Sequence, residues 1–125
     1  MGLGQVDAQY DQKNLEVVSH VEYPSLANDV WGYTAPDGTE YALMGLRSGA
    51  SVASLADPAN PVEIQYIPGD YSSWRDLKTW GHFAYVVADE QSSKEGVLVI
   101  DLSGLPNGVT WYRWQPVLPG ETDTL

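Results

Sequence analysis

Cysteine is missing from all 125 residues, which removes disulfides, thiolate metal sites and cysteine nucleophiles together and leaves the redox compartment open. Basic residues are scarce: six Lys and Arg stand against 17 Asp and Glu, a formal charge of −11. A phosphate-tracking nucleic-acid binder needs clustered cations for counterion release, so no nucleic-acid partner is expected, and anionic membrane surfaces are disfavoured for the same reason. No apolar run approaches the ~18 residues of a membrane-spanning helix, so no membrane insertion is expected. The opening Met1-Gly2-Leu3-Gly4 has neither the charged nor the apolar region of a signal peptide. Helical periodicity is absent too. What is present is apolar and aromatic: 43% hydrophobic residues, with five Trp and eight Tyr, punctuated by 12 Gly and eight Pro. That composition is too hydrophobic for a disordered acidic tail, and the length allows one domain at most.

Compared with itself, the chain repeats at an offset of 47 residues. Asn28-Asp29-Val30 falls on Arg75-Asp76-Leu77, and Ser51-Val52-Ala53-Ser54-Leu55 falls on Leu98-Val99-Ile100-Asp101-Leu102. Val62 to Ile67 falls on Val109 to Trp114, and one period upstream on Leu15 to His20. Between these anchors the register slips by three residues, Tyr33 to Tyr41 against Trp80 to Tyr85, and recovers in the Asp89 to Gly96 turn. Gaps confined to polar, Gly-bearing turns are what hairpin loops tolerate and strands do not.

Each repeat reads as four short strands rich in Val, Ile, Tyr and Trp: 29–33, 41–46, 51–55 and 62–67 in the first, 76–80, 84–88, 97–102 and 109–114 in the second. Pro and Gly clusters at Ala35 to Thr39, Asp57 to Pro61 and Ser103 to Gly108 supply the turns. A four-stranded unit recurring at this period is the signature of a β-propeller blade. The expected fold class is all-β, with two four-stranded antiparallel blades and an N-terminal outer strand, as part of a larger or oligomeric propeller. The expected division is a flexible segment 1–14, a lone outer strand 15–20, blade one 29–67, blade two 76–114 and a tail 115–125.

The runs Asn28-Asp29-Val30-Trp31-Gly32-Tyr33, Glu40 to Gly45, Arg47-Ser48-Gly49, Asp57 to Val62, Ser73 to Lys78 and Ala84 to Val87 resemble the N-terminal portion of the choice-of-anchor B proteins. Those are surface proteins built from LVIVD-type propeller repeats, and Leu98-Val99-Ile100-Asp101 is that name motif with one residue missing. The resemblance covers about residues 15 to 114 and implies an extracellular or cell-surface propeller; it implies no particular enzymatic activity. Family members are several times longer. A closed propeller needs about four to eight blades, so the missing ones are expected from the same longer chain or from other subunits.

Asp29 and Asp76 open the first strand of consecutive blades, the strand that lines a propeller's channel. Converging carboxylates there are candidate ligands for a hard cation such as Ca²⁺; equally, each can accept backbone N–H bonds and pin the start of its blade. Trp31, Trp74 and Arg75 are the candidate ligand-binding residues, for a surface protein or glycan, with Trp74-Arg75 in the exposed connection into blade two. The remaining aromatics read as blade packing. Asp89, Glu90 and Glu95 read as a solvated acidic loop.

His20 and His82 lack zinc-site spacing, and Gly49-Ala50-Ser51-Val52-Ala53 lacks the second Gly of a nucleophile elbow. The leading functional reading is therefore a non-enzymatic surface module for binding, adhesion or assembly. The alternative is a metal-dependent enzyme with its site at the channel mouth, resting on Asp29 and Asp76 with Arg75 beside them.

Overall fold

The computed structural model describes residues 13–90, 94–116 and 120, and residues 2–4 as a strand. Among them there is no helix, and the class is all-β. Ten strands run in chain order: β1 (Gly2–Gly4), β2 (His20–Glu22), β3 (Ala27–Thr34), β4 (Glu40–Leu46), β5 (Gly49–Ser54), β6 (Val62–Pro68), β7 (Arg75–Trp80), β8 (Phe83–Ala88), β9 (Val97–Asp101) and β10 (Thr110–Trp114). β3 to β6 form one antiparallel sheet in sequential order, and β7 to β10 form a second in the same order. Neither sheet is closed on itself.

Turn chemistry fixes the registers. Between β3 and β4, Ala35 N–H donates to the Thr39 carbonyl at 2.9 Å, the Asp37 carboxylate takes the Thr39 amide at 2.9 Å, and Gly38 adopts φ +89°. Between β7 and β8 the chain turns on Gly81-His82 alone, with Gly81 at φ +58° and Trp80 opposite Phe83. A glycine at the first central position suits a two-residue hairpin.

This tighter turn shifts the second strand. Tyr33 pairs with Tyr41, but Trp80 pairs with Phe83, not with a strand anchored at Tyr85 as expected. The slip is therefore five residues, and the next turn restores it: Met44 opposes Ser51, whereas Val86 opposes Leu98.

The two sheets pack face to face around one core. Tyr33, Tyr41, Leu43, Ala50, Val52 and Ile67 of the first sheet meet Leu77, Ala84, Val86, Leu98, Ile100 and Leu102 of the second and the turn after it. Each such Leu, Ile or Val contributes about 1.5–3 kcal/mol by leaving water. β9 is apolar on both faces and its Leu98, Val99 and Ile100 are all buried, while every residue of β10 is exposed.

The N-terminal region departs from expectation. Residues 15–19 form no strand; β2 starts at His20 and pairs antiparallel with β1, which lies inside the segment expected to be flexible. Leu15 and Val18 stay exposed, because an outer strand needs a neighbour for its amides and the neighbour found here, Gly2–Gly4, reaches only 20–22. Of the expected tail, most lies outside the described residues.

β7 crosses β3 and β4 so closely that a Cβ added at Gly45 would stand 2.1 Å from the Arg75 carbonyl oxygen, whereas one at Gly32 would meet nothing within 4 Å. Gly45→Ala is therefore expected to cost about 1–3 kcal/mol by overpacking. Gly32→Ala is expected to be neutral or to stabilise by up to about 1 kcal/mol. Urea denaturation of the two variants checks the pair; equal effects would contradict the close crossing.

Candidate functional site

The start of β7 is where the chemistry-bearing side chains gather. β3 and β7 are the edge strands of their sheets, so alternate backbone amides have no ladder partner. Two of those on β7 are captured by side chains of β3: Asn28 Oδ1 accepts the Arg75 amide at 2.7 Å, and Asp29 Oδ2 accepts the Leu77 amide at 3.0 Å. Two residues further along each strand, the Trp31 indole Nε1–H donates to Thr79 Oγ1 at 2.9 Å, and Lys78 Nζ sits 3.9 Å from the Trp31 ring centroid.

Asp29 thus accepts a backbone amide across the seam between sheets. Asp76 stands at the matching strand position and is exposed. The two carboxylates supply at best part of the six to eight oxygens that Ca²⁺ takes, and among the described residues no three His, Cys, Asp or Glu side chains gather where an ion could be held. A calcium shell does not assemble from this pair alone.

Arg75 is the residue that sequence reasoning misplaced. Expected at an exposed connection, it is 2% exposed. Its Nε–H donates to the Leu46 carbonyl at 2.8 Å, one Nη to the Glu95 carboxylate at 3.0 Å, and the other Nη to the Asp70 carbonyl. Glu95, read from sequence as solvated, is 8% exposed. Its second oxygen accepts the Asp70 amide at 2.9 Å and a longer contact from Arg113 at 3.5 Å, while Arg113 also donates to the Pro68 carbonyl at 2.6 Å.

The reason for both burials is the same. An arginine leading the edge strand points into the junction of two sheets and two loops, where carbonyls and a carboxylate satisfy its planar fork. Gly69 makes room, since a Cβ there would lie 2.2 Å from a Glu95 oxygen. The signal available in sequence was a charged residue at a strand position that packs inward, which demands a carboxylate partner. An open groove of about 390 Å³, lined by Pro68, Gly69, Asp70, Lys94, Glu95 and Arg113, runs beside the pair.

Trp74 meets its expectation of exposure: the indole is 61% exposed, while Ser72 and Asp89 fix its backbone through bonds of 2.9 to 3.2 Å. Tyr71 beside it is exposed too, its hydroxyl accepting from Arg47 at 3.2 Å. Trp31, by contrast, spends its N–H and one ring face on the seam.

One exposed aromatic face was not singled out in sequence. Alternation along the strands places Asp76, Lys78, Trp80, Phe83, Tyr85, Val87, Val99, Tyr112 and Trp114 on the face of the second sheet turned away from the core. Trp80 is 81% exposed, Tyr112 60% and Trp114 53%. Inside the core, the Tyr41 hydroxyl has no hydrogen-bond partner among the described residues; burial pushes its pKa up, with Asp37 and Tyr33 adding to the rise.

No protein-family model, curated protein or solved structure matches this chain.

Two expectations follow for stability. Glu95→Gln leaves the buried Arg75 charge unpaired and is expected to cost about 3–5 kcal/mol, Arg75→Met leaves Glu95 the longer contact with Arg113 and is expected to cost less, and the double replacement is expected to cost less than the two singles together. A double-mutant cycle by chemical denaturation measures this, and additive losses would contradict the pairing. Tyr41→Phe removes an unpartnered buried hydroxyl and is expected to raise stability by about 1 kcal/mol; a lowered melting temperature would contradict the burial of that group.

Proposed function

We propose that the chain is a non-enzymatic β-propeller module of the extracellular or cell-surface kind, acting in binding, adhesion or assembly through its sheet faces. The observation that carries this reading is the exposed aromatic face of the second sheet, with Trp80, Tyr112 and Trp114 at its surface. Clusters of exposed aromatic side chains on a folded domain mark interaction sites.

Three further features support it. Both sheets are sequential meanders stacked face to face, the arrangement of neighbouring propeller blades. The 47-residue offset found in the sequence superposes Asp29 on Asp76 at the start of each inner strand. The polar side chains at the seam make structural bonds, with the Arg75 and Glu95 charges spent on each other and on nearby backbone groups.

The acidic surface fits a secreted or displayed module. A charge of −11 keeps copies soluble and repels anionic partners, so binding is directed to the near-neutral aromatic face and the exposed Tyr71 and Trp74 loop. Further blades, from a longer chain or other subunits, would complete the ring.

Surface labelling of intact producing cells with a membrane-impermeant amine reagent tests this reading. The chain is expected to be labelled before lysis, at Lys78 or another accessible lysine. Labelling that appears only after lysis would overturn it.

A further inference from the structure

The chain has four asparagines, at 14, 28, 60 and 107, and of these Asn107 alone is followed by glycine. Asparagine is a thermolabile residue, because its side-chain amide carbon is an electrophile whose nearest nucleophile is the backbone nitrogen of the next residue. Attack closes a five-membered ring. It is slowed when the next residue carries a side chain or when either group is held in a hydrogen bond, and glycine has no Cβ to obstruct it.

The structure sets the four sites apart. Asn60 precedes Pro61, which has no N–H to ionise, and its Nδ2 donates to Asp57 at 2.8 Å. Asn28 Oδ1 is committed to the Arg75 amide at 2.7 Å, and the Asp29 side chain crowds the next nitrogen. Asn14 precedes the branched Leu15. Asp37-Gly38 has the same spacing with an acid in place of the amide. There the Thr39 backbone amide holds the Asp37 carboxyl below its usual range, and so in the ionised form that resists attack.

Asn107 is under no such restraint. It is exposed in the turn between β9 and β10, where its backbone N–H donates to the Gly104 carbonyl at 2.9 Å. Among the described residues, neither its side chain nor the Gly108 amide makes a hydrogen bond. An open hollow of about 360 Å³, lined in part by Asp101, Ser103, Asn107, Gly108 and Thr110, gives water access to the pair. A further stacked sheet would leave this turn open: the matching turn of the first sheet, 57–60, stays exposed with the second sheet packed alongside.

We propose that Asn107 is a self-modification site, converting with Gly108 and water to an aspartyl or isoaspartyl residue. The Gly108 nitrogen, its proton lost to hydroxide, forms a bond to the Asn107 side-chain carbonyl carbon. The side-chain carbon–nitrogen bond breaks, and ammonia leaves with a proton taken from water, which returns the hydroxide. Water then opens the cyclic imide. Opening at the side-chain carbonyl restores the main chain and leaves aspartate; opening at the main-chain carbonyl routes the backbone through the side chain and leaves isoaspartate. The net reaction consumes one water and releases one ammonia.

Both products turn a neutral amide into a carboxylate in the hollow that Asp101 already lines, taking the formal charge from −11 to −11 − 1 = −12. Isoaspartate also adds one backbone atom between Leu105 and Val109, both of which pack against the core. The turn that leads into β10 must then be remade, so the isoaspartyl form is the less stable of the two.

Mass-spectrometric peptide mapping of the chain, aged at body temperature in mildly alkaline buffer made with heavy-oxygen water, tests the site. Amide-to-acid conversion is expected at Asn107 ahead of Asn14, Asn28 and Asn60, with heavy oxygen in the new carboxyl and a rate proportional to hydroxide concentration. Asn107→Gln, whose extra methylene would demand a six-membered ring, is expected to lose the conversion with circular dichroism unchanged. The isoaspartyl form, resolved by anion exchange, is expected to melt below the Asn107→Asp variant, which has the charge without the extra atom. An Asn107 that stays intact while another asparagine converts, or that converts only after unfolding in urea, overturns the proposal. Equal melting of the two acidic forms overturns the effect assigned to the turn.

Discussion

An edge strand leaves every second amide without a ladder partner, and the packing of this molecule depends on how two of them are satisfied. Arg75 and Leu77 present their N–H groups at the edge of β7, and Asn28 and Asp29 of the neighbouring sheet accept them. A buried amide without an acceptor would cost about 1–3 kcal/mol. Two side chains at consecutive positions therefore set how far along the seam the second sheet sits. Once that is set, Leu77 meets the core, Gly45 clears the Arg75 carbonyl and the arginine fork reaches the Leu46 and Asp70 carbonyls.

The same arrangement explains why the polar cluster at the junction is structural. Arg75 and Glu95 neutralise each other in a site that water hardly reaches, and each makes further bonds to backbone groups of the other sheet or loop. Removing both partners is cheaper than removing one, so the pair acts chiefly to specify which loops meet. The charge that remains on the outside is overwhelmingly negative. The proposed binding role therefore falls on surfaces where acidic side chains are few and aromatic area is large.

Much of the fold was legible in the sequence. Alternation, β-branched runs and Pro or Gly clusters located eight strands to within two residues, because each of those signals is local. The 47-residue offset aligned the first, third and fourth strands of the two sheets. It misaligned the second, since the expected anchor Tyr85 and the true partner of Trp80, Phe83, stand two residues apart on the same face, and parity is all that a hydrophobic pattern constrains.

The site was less legible. Asp29 could be read either as a cation ligand or as an acceptor for backbone amides, and it accepts the amide of a residue 48 positions away. Arg75 and Glu95 were misread as exposed because their burial comes from the meeting of two sheets with two loops, which no local pattern encodes. The aromatic face was hidden for the opposite reason: Trp80, Tyr112 and Trp114 look like core residues in sequence, and only the stacking order shows that nothing among the described residues covers them.

Amide hydrogen exchange, resolved residue by residue by NMR, tests the seam most directly. The account predicts that the edge amides of Arg75 and Leu77 are protected as strongly as amides inside the β7–β8 ladder, while those of Val30 and Gly32, at the corresponding edge of β3, exchange quickly. Fast exchange at Arg75 and Leu77 would mean that Asn28 and Asp29 do not hold the second sheet, and the packing derived from them would be wrong.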